Sequence, residues 1–450
     1  MNKIKNTIAI LACKALIKIG KLMGKKGSSA PGAVAIKISP TLFGHLAKQV
    51  KKDIICVCGT NGKTTTSNLL CDLLEATGNK VVCNRVGANM LPGVACAFIE
   101  RAGLNGKLNA DYAVLECDEA SLRHIVNHAK ATKIVVTNLF RDQLDRYGDI
   151  EMTMGYIKEA VEKLDNPLLI LNGDDPLTTA IGISKNAKHF GINQNCTQNI
   201  NELKEGRYCP KCHSELKYSF YHYSQLGIYT CENCDFTRPE PDWKADNVST
   251  DESLKFDIKY NNTLKSFDLN YRGFYNIYNI LAAFAVYEST GESLDVVGTV
   301  LKNYKPQIGR MEHFYINSKQ VILNLSKNPA GFNQAIATVK EDKRKKDIIF
   351  ILNDMASDGR DISWLWEVDF ELLKDAQISK IYASGMRKYD MALRLKYAGF
   401  DDVCAVSHTR ENIESFVNNA GDVCYLLVNY TALFSTQNML KDMEDKKSDN

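Results

Sequence analysis

The sequence predicts an α/β protein: a phosphate-loop ATPase domain with an inserted four-cysteine zinc ribbon, followed by a Rossmann-like α/β domain. Three observations carry this. The apolar run Ile54–Cys58 leads into Gly59-Thr60-Asn61-Gly62-Lys63-Thr64-Thr65 and then into a helical segment. Strand-like runs ending in polar loops recur at βα spacing before and after a break near Tyr304-Lys305-Pro306. Cys209-Pro210-Lys211-Cys212 and Cys231-Glu232-Asn233-Cys234 repeat one C-x2-C spacing across an 18-residue spacer.

Bulk properties narrow the class. A chain of 450 residues exceeds one ordinary core and suggests about three domains. Its 45% hydrophobic and 24% charged content is globular, which excludes a disordered or fibrous chain. Lys and Arg (56) nearly balance Asp and Glu (53), so bulk charge does not predict a polyanion-binding protein. Of 14 cysteines, Cys56, Cys58, Cys71, Cys83, Cys96, Cys117, Cys404 and Cys424 lie singly in apolar runs, as small core hydrophobes do in a reducing cytosol. No apolar run reaches the roughly 18 residues a spanning helix needs. A cytoplasmic, multidomain protein is expected.

Residues 1–50 read as a basic N-terminal segment. Ile4, Ile8, Leu11, Ala15, Ile19 and Leu22 recur at helical spacing, with Lys14, Lys18, Lys21 and Lys25 on the opposite face. Such a stripe either packs on the body of the protein or lies on the inner face of the plasma membrane as a peripheral contact.

Residues 51–305 form the expected ATPase domain. Glycines let backbone N–H groups approach phosphate oxygens, the following helix N-terminus adds partial positive charge, and Lys63 adds a full one. Thr64 is placed to bind Mg²⁺. Val57 stands where the eight-residue form of this loop has glycine, so the match is to a shorter variant. Strands ending at Glu116-Cys117-Asp118-Glu119, at Asn138 and at Asn172-Gly173-Asp174-Asp175-Pro176 place carboxylates where an open α/β sheet carries its site.

Within this domain, about 195–245 reads as the insertion. Cys209, Cys212, Cys231 and Cys234 can close a tetrahedral Zn²⁺ site with no open position, which makes the metal structural. Tyr218, Phe220, Tyr221, Tyr223 and Tyr229 in the spacer either pack this small unit or stack on nucleic acid. The scarcity of basic residues there disfavours nucleic acid.

Residues 306–450 form the second α/β domain. Its loop 353–366 holds Asp354, Asp358, Arg360, Asp361, Trp364 and Trp366. Asp358-Gly359 suits a turn, and Asp361 or Ser363 suits a helix cap. Tryptophans beside charges also suit a protein interface.

Taken in order over about 50–450, these motifs resemble the Mur ligases. The resemblance rests on Gly59–Thr65, on Glu116-x-Asp118-Glu119, on Asn138 with Asp142-x-x-Asp145, and on Asn172-x-Asp174-Asp175-Pro176. Gly273-Phe274-Tyr275-Asn276-Ile277-Tyr278-Asn279-Ile280-Leu281-Ala282-Ala283 and Gly309-Arg310-Met311-Glu312 extend it. It implies ATP and Mg²⁺ as cofactors. ATP would lie on Gly59, Thr60, Asn61, Gly62, Lys63, Thr64 and Thr65, its adenine on Asn276 and Asn279, its phosphates also on Arg310. Lys63 and Glu116 would be catalytic, with Mg²⁺ on Thr64 and Glu116. Two departures stand out. Only 58 residues precede Gly59, where the family carries a UDP-binding domain. The family's Asp-His pair is Asp142-Gln143 here, and an amide oxygen is a weaker ligand than imidazole, which leaves a second Mg²⁺ open.

The cysteine insertion, the missing UDP domain, Lys327-Asn328-Pro329-Ala330-Gly331 and the 353–361 loop resemble one branch of that family. Its members amidate the D-glutamate α-carboxyl of the peptidoglycan precursor lipid II through an acyl phosphate. Ammonia comes from a GatD-like glutaminase in a heterodimer. The branch implies that an acidic residue of the ligase's C-terminal domain serves the partner's active site: Asp361, with Asp358 and Asp354 behind it. Two other readings are a ligase that adds amino acids, of the Mur or folylpolyglutamate type, and a zinc-ribbon ATPase that binds nucleic acid.

Overall fold

The β-branched and aliphatic runs become short strands that end in glycine or acidic turns, and the longer segments of helical period cover them. The computed structural model describes residues 2–22, 29–85, 88–142, 149–196, 205–250, 253–270, 273–304 and 309–445. Gln143 and Asp145, and Lys305-Pro306 of the expected linker, lie outside the described residues. The chain divides into two compact units. The first holds Met1–Phe140, Ile150–Asn270 and Phe274–Tyr304; the second holds Arg141–Asp149, Tyr271–Gly273 and Lys305–Asn450.

The first unit is built on a nine-stranded sheet. Strands β1 (Ile54–Cys58), β2 (Val81–Cys83), β3 (Tyr112–Glu116), β4 (Lys133–Val136), β5 (Leu168–Asn172) and β6 (Ala187–Ile192) are parallel, in the order β6-β5-β4-β1-β3-β2. All five residues of β1, of β3 and all four of β4 are buried, as a parallel sheet covered on both faces requires. From β1 the chain runs outward past β3 to edge strand β2, returns through β3, and then crosses β1 to β4 and β5 on the other side, so the crevice at the carboxyl end of β1 is the topological switch point. Beyond β6 the sheet grows by β9 (Trp243–Ser249), parallel to β6, then by antiparallel β10 (Leu254–Tyr260) and β11 (Thr263–Leu269). Between β6 and β9 the antiparallel hairpin β7 (Leu216–Tyr223) and β8 (Leu226–Cys231) stands outside the sheet.

Helix Asn2–Leu22, α1, corrects the expected orientation of the N-terminal segment. Its buried side is a stripe of smaller residues, Ala9, Ile10 and Cys13, with Ile17 partly buried. They pack with helices Ser29–Ile38 and Leu91–Arg101. The larger stripe of Ile4, Ile8, Leu11, Ile19 and Leu22 faces outward instead. Among the described residues no helix is long and apolar enough to cross a membrane.

The second unit has a six-stranded sheet in the order β12-β13-β17-β14-β15-β16, parallel except for edge strand β12. These are Glu312–Ile316, Lys319–Leu325, Val423–Val428, Lys346–Ile351, Ile378–Ser384 and Val403–Ala405 in that spatial order. Parallel β13, β14 and β17 bring 326–328, 352–361 and 429–431 to one edge.

Candidate active site

The phosphate loop sits on the carboxyl end of β1. Gly59 (φ +119°) and Gly62 (φ +87°) both occupy the left-handed half of conformational space. A Cβ on Gly59 would meet Thr137 Oγ1 at 2.4 Å and the Asn138 carbonyl at 2.8 Å, while one on Gly62 would meet Asn279 Oδ1 at 2.0 Å. Glycine is required at both places by crowding as well as by φ. Helix Lys63–Ala76 then starts directly at Lys63, aiming its N-terminal N–H groups at the loop's mouth.

The loop is clamped by the segment after β4. Asn138 Oδ1 accepts from the Asn61 N–H (2.8 Å), and its Nδ2 donates to the Asn61 carbonyl (3.0 Å). Thr137 Oγ1 donates to the same carbonyl (2.7 Å). Thr60 Oγ1 accepts from the Phe140 N–H (2.9 Å) and donates to the Phe140 carbonyl (3.0 Å). Helix Tyr275–Ser289 packs on helix Lys63–Ala76. It brings Asn276 and Asn279 there as a linked pair, Asn279 Nδ2 donating to Asn276 Oδ1 (3.2 Å).

Lys63 is buried. Its Nζ donates to Glu119 Oε1 (2.8 Å), to the Gly59 carbonyl and to the Thr60 carbonyl (3.3 Å). Burial alone would lower its pKa, but Glu119, Glu116 and Asp118 outweigh that and hold the amine charged well above its ordinary value. Glu119 also accepts from the Gly59 N–H (3.1 Å). Of the acidic cluster, then, Glu119 touches the lysine. Asp118 caps helix Glu119–Ile125 by accepting from the Ser121 N–H (3.2 Å). Glu116 is buried at the end of β3, where Asn89 Nδ2 lies 3.4 Å from its Oε1 and Asn84 pairs with its backbone. Buried Glu116 and Thr65 and partly exposed Thr64 offer the oxygen donors that Mg²⁺ prefers. Sequence reading placed Glu119 in the cluster but gave it no role, because its contact with Lys63 depends on how β3 lies beside β1.

The cysteine hairpin supports this clamp from behind. Cys209, Cys212, Cys231 and Cys234 bring four sulfur atoms within 4.8 Å of one another, with Cys209–Cys234 at 3.6 Å and Cys212–Cys231 at 3.4 Å. A tetrahedron of thiolates at bond lengths near 2.3 Å has edges of about 3.8 Å, so the set suits Zn²⁺. The spacer aromatics serve packing. Tyr229 stacks on Phe236 and donates to Thr179 Oγ1 (2.8 Å), and Tyr223 packs against Phe140, Phe274 and Tyr278. Gln225 in the hairpin turn donates to the Leu139 carbonyl (2.6 Å), while the Leu139 N–H donates to Asp175 Oδ2 (2.8 Å). Both polar groups of Leu139, one residue after Asn138, are thereby fixed. Burial pushes the Asp175 carboxyl up to about 7 in spite of these donors.

Asp174 is a fully buried hub. It accepts from Arg238 Nε (2.7 Å), the Ile192 N–H (2.8 Å) and Tyr278 Oη (2.7 Å). One carboxylate thus joins the cysteine insertion, the sheet and the helix that carries Asn276 and Asn279. Sequence reading missed Arg238, which no motif marks.

In the second unit, Asp358 is buried and accepts from the Thr431 N–H (2.8 Å) and from Thr431 Oγ1 (2.5 Å). Asn353 and Asn429 pair reciprocally, 3.1 and 2.6 Å, across the ends of β14 and β17. Asp361 is partly exposed and accepts from the Ser363 N–H (2.8 Å), which holds its carboxyl below the usual range. Asp354 lies 3.6 Å from Arg387. Lys327 donates to Asp142 (2.6 Å), and partly exposed Arg310 makes no ion pair among the described residues.

Comparison with known proteins agrees with each of these two α/β units. The Mur ligase middle domain family matches residues 57–236, and the MurT ligase C-terminal family matches 325–433. The chain is 35% identical to the lipid II isoglutaminyl synthase (glutamine-hydrolyzing) subunit MurT of Staphylococcus aureus (strain COL), over 87% of each chain. It is 33% identical to the protein of the same name from Streptococcus pneumoniae (strain R6), over 97% of each. Among solved structures, a pseudomurein peptide ligase type C from Methanothermus fervidus has the same fold, with TM-score 0.70, 23% identity, and coverage of 88% of this chain and 80% of that one. A MurF ligase from Thermotoga maritima in complex with ADP aligns with TM-score 0.66 at 16% identity, over 92% and 85%. With a phosphate loop at the switch point of a Mur ligase sheet, a MurT-type C-terminal region, and identity above 30% along most of its length, this chain belongs to the MurT family of Mur ligases.

Proposed function

We propose that this chain is the ATP-dependent ligase that converts the D-glutamate α-carboxylate of the lipid II stem peptide to D-isoglutamine, with ammonia supplied by a GatD-like glutaminase. The observation that carries the reading is the buried Lys63 on a phosphate loop held at both Thr60 and Asn61, in a chain 33–35% identical to lipid II isoglutaminyl synthase subunits.

Hydroxide is a poor leaving group, so the carboxylate first attacks the γ-phosphorus of ATP; an acyl phosphate forms and ADP leaves. Ammonia then adds to the acyl carbon, phosphate departs, and one proton is lost. In such transfers the protein chiefly positions groups and neutralises charge. Backbone N–H groups at Gly59–Thr65 and the charged Lys63 receive the phosphates, Lys63 exchanging its Glu119 contact for phosphate oxygen. Asn276 and Asn279 receive the adenine, and Arg310 is the second cation assigned to the phosphates. Thr64 and Glu116 would hold Mg²⁺, which draws charge from the phosphate oxygens when bound. Zn²⁺ on the four cysteines would be structural. Three regions follow: an N-terminal segment to about residue 50, an ATPase domain at 51–305 interrupted at about 195–245, and a Rossmann-like C-terminal domain at 306–450.

A partner is chemically needed because ammonia is mostly ammonium near neutral pH. Its surface is assigned to the second unit, where Tyr389, Leu393 and Tyr397 line one side of helix Lys388–Tyr397 and are exposed by 71%, 50% and 72%. Trp366, also exposed, meets the Tyr397 ring at 5.3 Å. Asp361, close before Trp366 in sequence and with one oxygen committed to a backbone N–H, serves the glutaminase site. A lipid-linked acceptor places the work at the inner membrane face.

Replacing ammonium by hydroxylamine tests the acyl phosphate. The chain with ATP, Mg²⁺ and a D-glutamate muropeptide should form a hydroxamate together with ADP. ADP formation that is independent of muropeptide, or stimulated by DNA or RNA, would reject the reading.

A further inference from the structure

Helix α1 (Asn2–Leu22) has two apolar stripes, and the protein uses one. Ala9, Ile10 and Cys13 are fully buried, Cys13 Sγ meets Cys96 Sγ at 3.8 Å, and Asn6 Oδ1 accepts from Ser39 Oγ (2.6 Å). These contacts hold α1 on the body without help from its other side. There Ile4 (69% exposed), Ile8 (49%), Leu11 (49%), Ile19 (51%) and Leu22 (81%) form a continuous row at i, i+4, i+7 spacing. A row of large aliphatic side chains turned to water is costly and marks a docking surface.

Charge identifies what docks. Asn2–Leu22 contains five lysines and no acidic residue, exceeding the whole chain's net charge of +3. At helical spacing Lys5 borders one edge of the outward row and Lys18, expected on the opposite face, borders the other, both exposed, with exposed Lys3 and Lys21 beyond Lys18. Lys21 makes an exposed contact with Glu100 (3.2 Å), and Lys14 is turned to the body, donating to the Ala102 carbonyl (2.6 Å). A second copy of the chain would set like charges against each other along this row. An anionic lipid surface meets both features: aliphatic side chains enter the acyl boundary while flanking lysines stay among headgroup phosphates. We infer that the outward face of α1 is a docking surface for an anionic bilayer, lying in the plane of the interface. This deepens the lipid-linked substrate reading, since a ligase whose acceptor is held in the bilayer gains by lying on it.

The test is co-sedimentation of the full chain with vesicles free of peptidoglycan precursor. Phosphatidylglycerol–phosphatidylcholine vesicles should pellet it, pure phosphatidylcholine should not, and high salt should release it. Ile8→Glu with Ile19→Glu should lower binding at least about tenfold while the melting temperature stays unchanged. Wild-type chain left in the supernatant, or equal binding by the variant, would overturn the inference. So would a dimer that the variant dissociates, which would make a second copy the occupant. The same variant should amidate a lipid-free muropeptide as wild type does and lose rate only on vesicle-held substrate. Failure of wild type on both substrates would reject the substrate reading and leave the vesicle result standing.

Discussion

Lys63 and Glu119 form a buried ion pair of 2.8 Å at the carboxyl edge of the central sheet, and the same glutamate oxygen receives the Gly59 N–H. The pair stores the cation proposed to meet the phosphates on its own loop and keeps the loop's first glycine in place. Removing one partner of a buried pair strands the other, at about 3–5 kcal/mol. Lys63→Ala should therefore lose ATP turnover and also melt earlier. Lys63→Met combined with Glu119→Gln should regain most of that stability and still turn over no ATP. Thermal melts beside ADP release separate the two roles; ATP turnover by the double variant would remove Lys63 from the chemistry.

Gln225 should act on nucleotide binding from outside the site. Gln225→Ala leaves the Leu139 carbonyl without its donor one residue from the Asn138 clamp, at about 1–3 kcal/mol. The expected result is a KM for ATP raised about tenfold with kcat little changed, and recovery in Gln225→Asn only if the shorter amide still reaches. An unchanged KM would make the hairpin a bystander.

Cys209→Ser should lower zinc content and melting temperature together, and chelation of the wild type should do the same. Metal analysis of the purified chain decides it: full stability with no bound metal would reject a structural Zn²⁺.

The aspartates of loop 353–361 should divide by role. Asp358→Ala strands the Thr431 N–H and hydroxyl and should cost about 2–3 kcal/mol, with activity falling on glutamine and ammonium alike. Asp361→Ala loses one exposed turn contact, so the fold should hold. Glutamine-dependent activity should fall while ammonium-dependent activity remains. Equal loss on both donors would withdraw Asp361 from the partner's site.

Asp342 makes the second unit sensitive to acid. Although buried, its carboxyl is pulled down to about 2 by the Arg344 guanidinium (3.0 and 2.7 Å) and the Tyr425 hydroxyl (2.8 Å). A carboxylate with a lowered folded pKa binds fewer protons folded than unfolded. Its stabilisation is therefore present above the unfolded value and lost as pH falls from about 5 to 2. With the guanidinium half-exposed, the loss should be about 1 kcal/mol. Denaturant titrations at pH 6 and pH 3 should show this slope flattened in Asp342→Asn; an identical slope would contradict it.

What could be read ahead of the structure was what lies close together along the chain. The strand, glycine turn and lysine of the phosphate loop span about a dozen residues, and the two C-x2-C knuckles fix their own geometry, so their spacing sufficed. The helical cap expected of Asp361 or Ser363 falls on Ile362 instead, with Asp361 accepting the Ser363 N–H from just outside the turn. Contacts between distant segments were not legible. Arg238 and Asp174 lie 64 residues apart, and nothing local distinguishes that arginine from one on the surface. For α1, periodicity revealed an apolar face but not which of two faces the body takes. The protein buries the narrower stripe with Ala9 and Cys13, which allow close approach, and leaves the larger side chains outside.

Amide formation on lipid II is the reaction proposed for this chain. Its most direct test is mass spectrometry of a lipid-linked muropeptide incubated with this chain, ATP, Mg²⁺ and ammonium, then with glutamine in place of ammonium, with and without a glutaminase subunit. Exchange of one hydroxyl for an amino group at D-glutamate is predicted, from ammonium with the chain alone and from glutamine only with the partner. An unaltered muropeptide while ATP is consumed, or addition of an amino acid in place of an amino group, would contradict it.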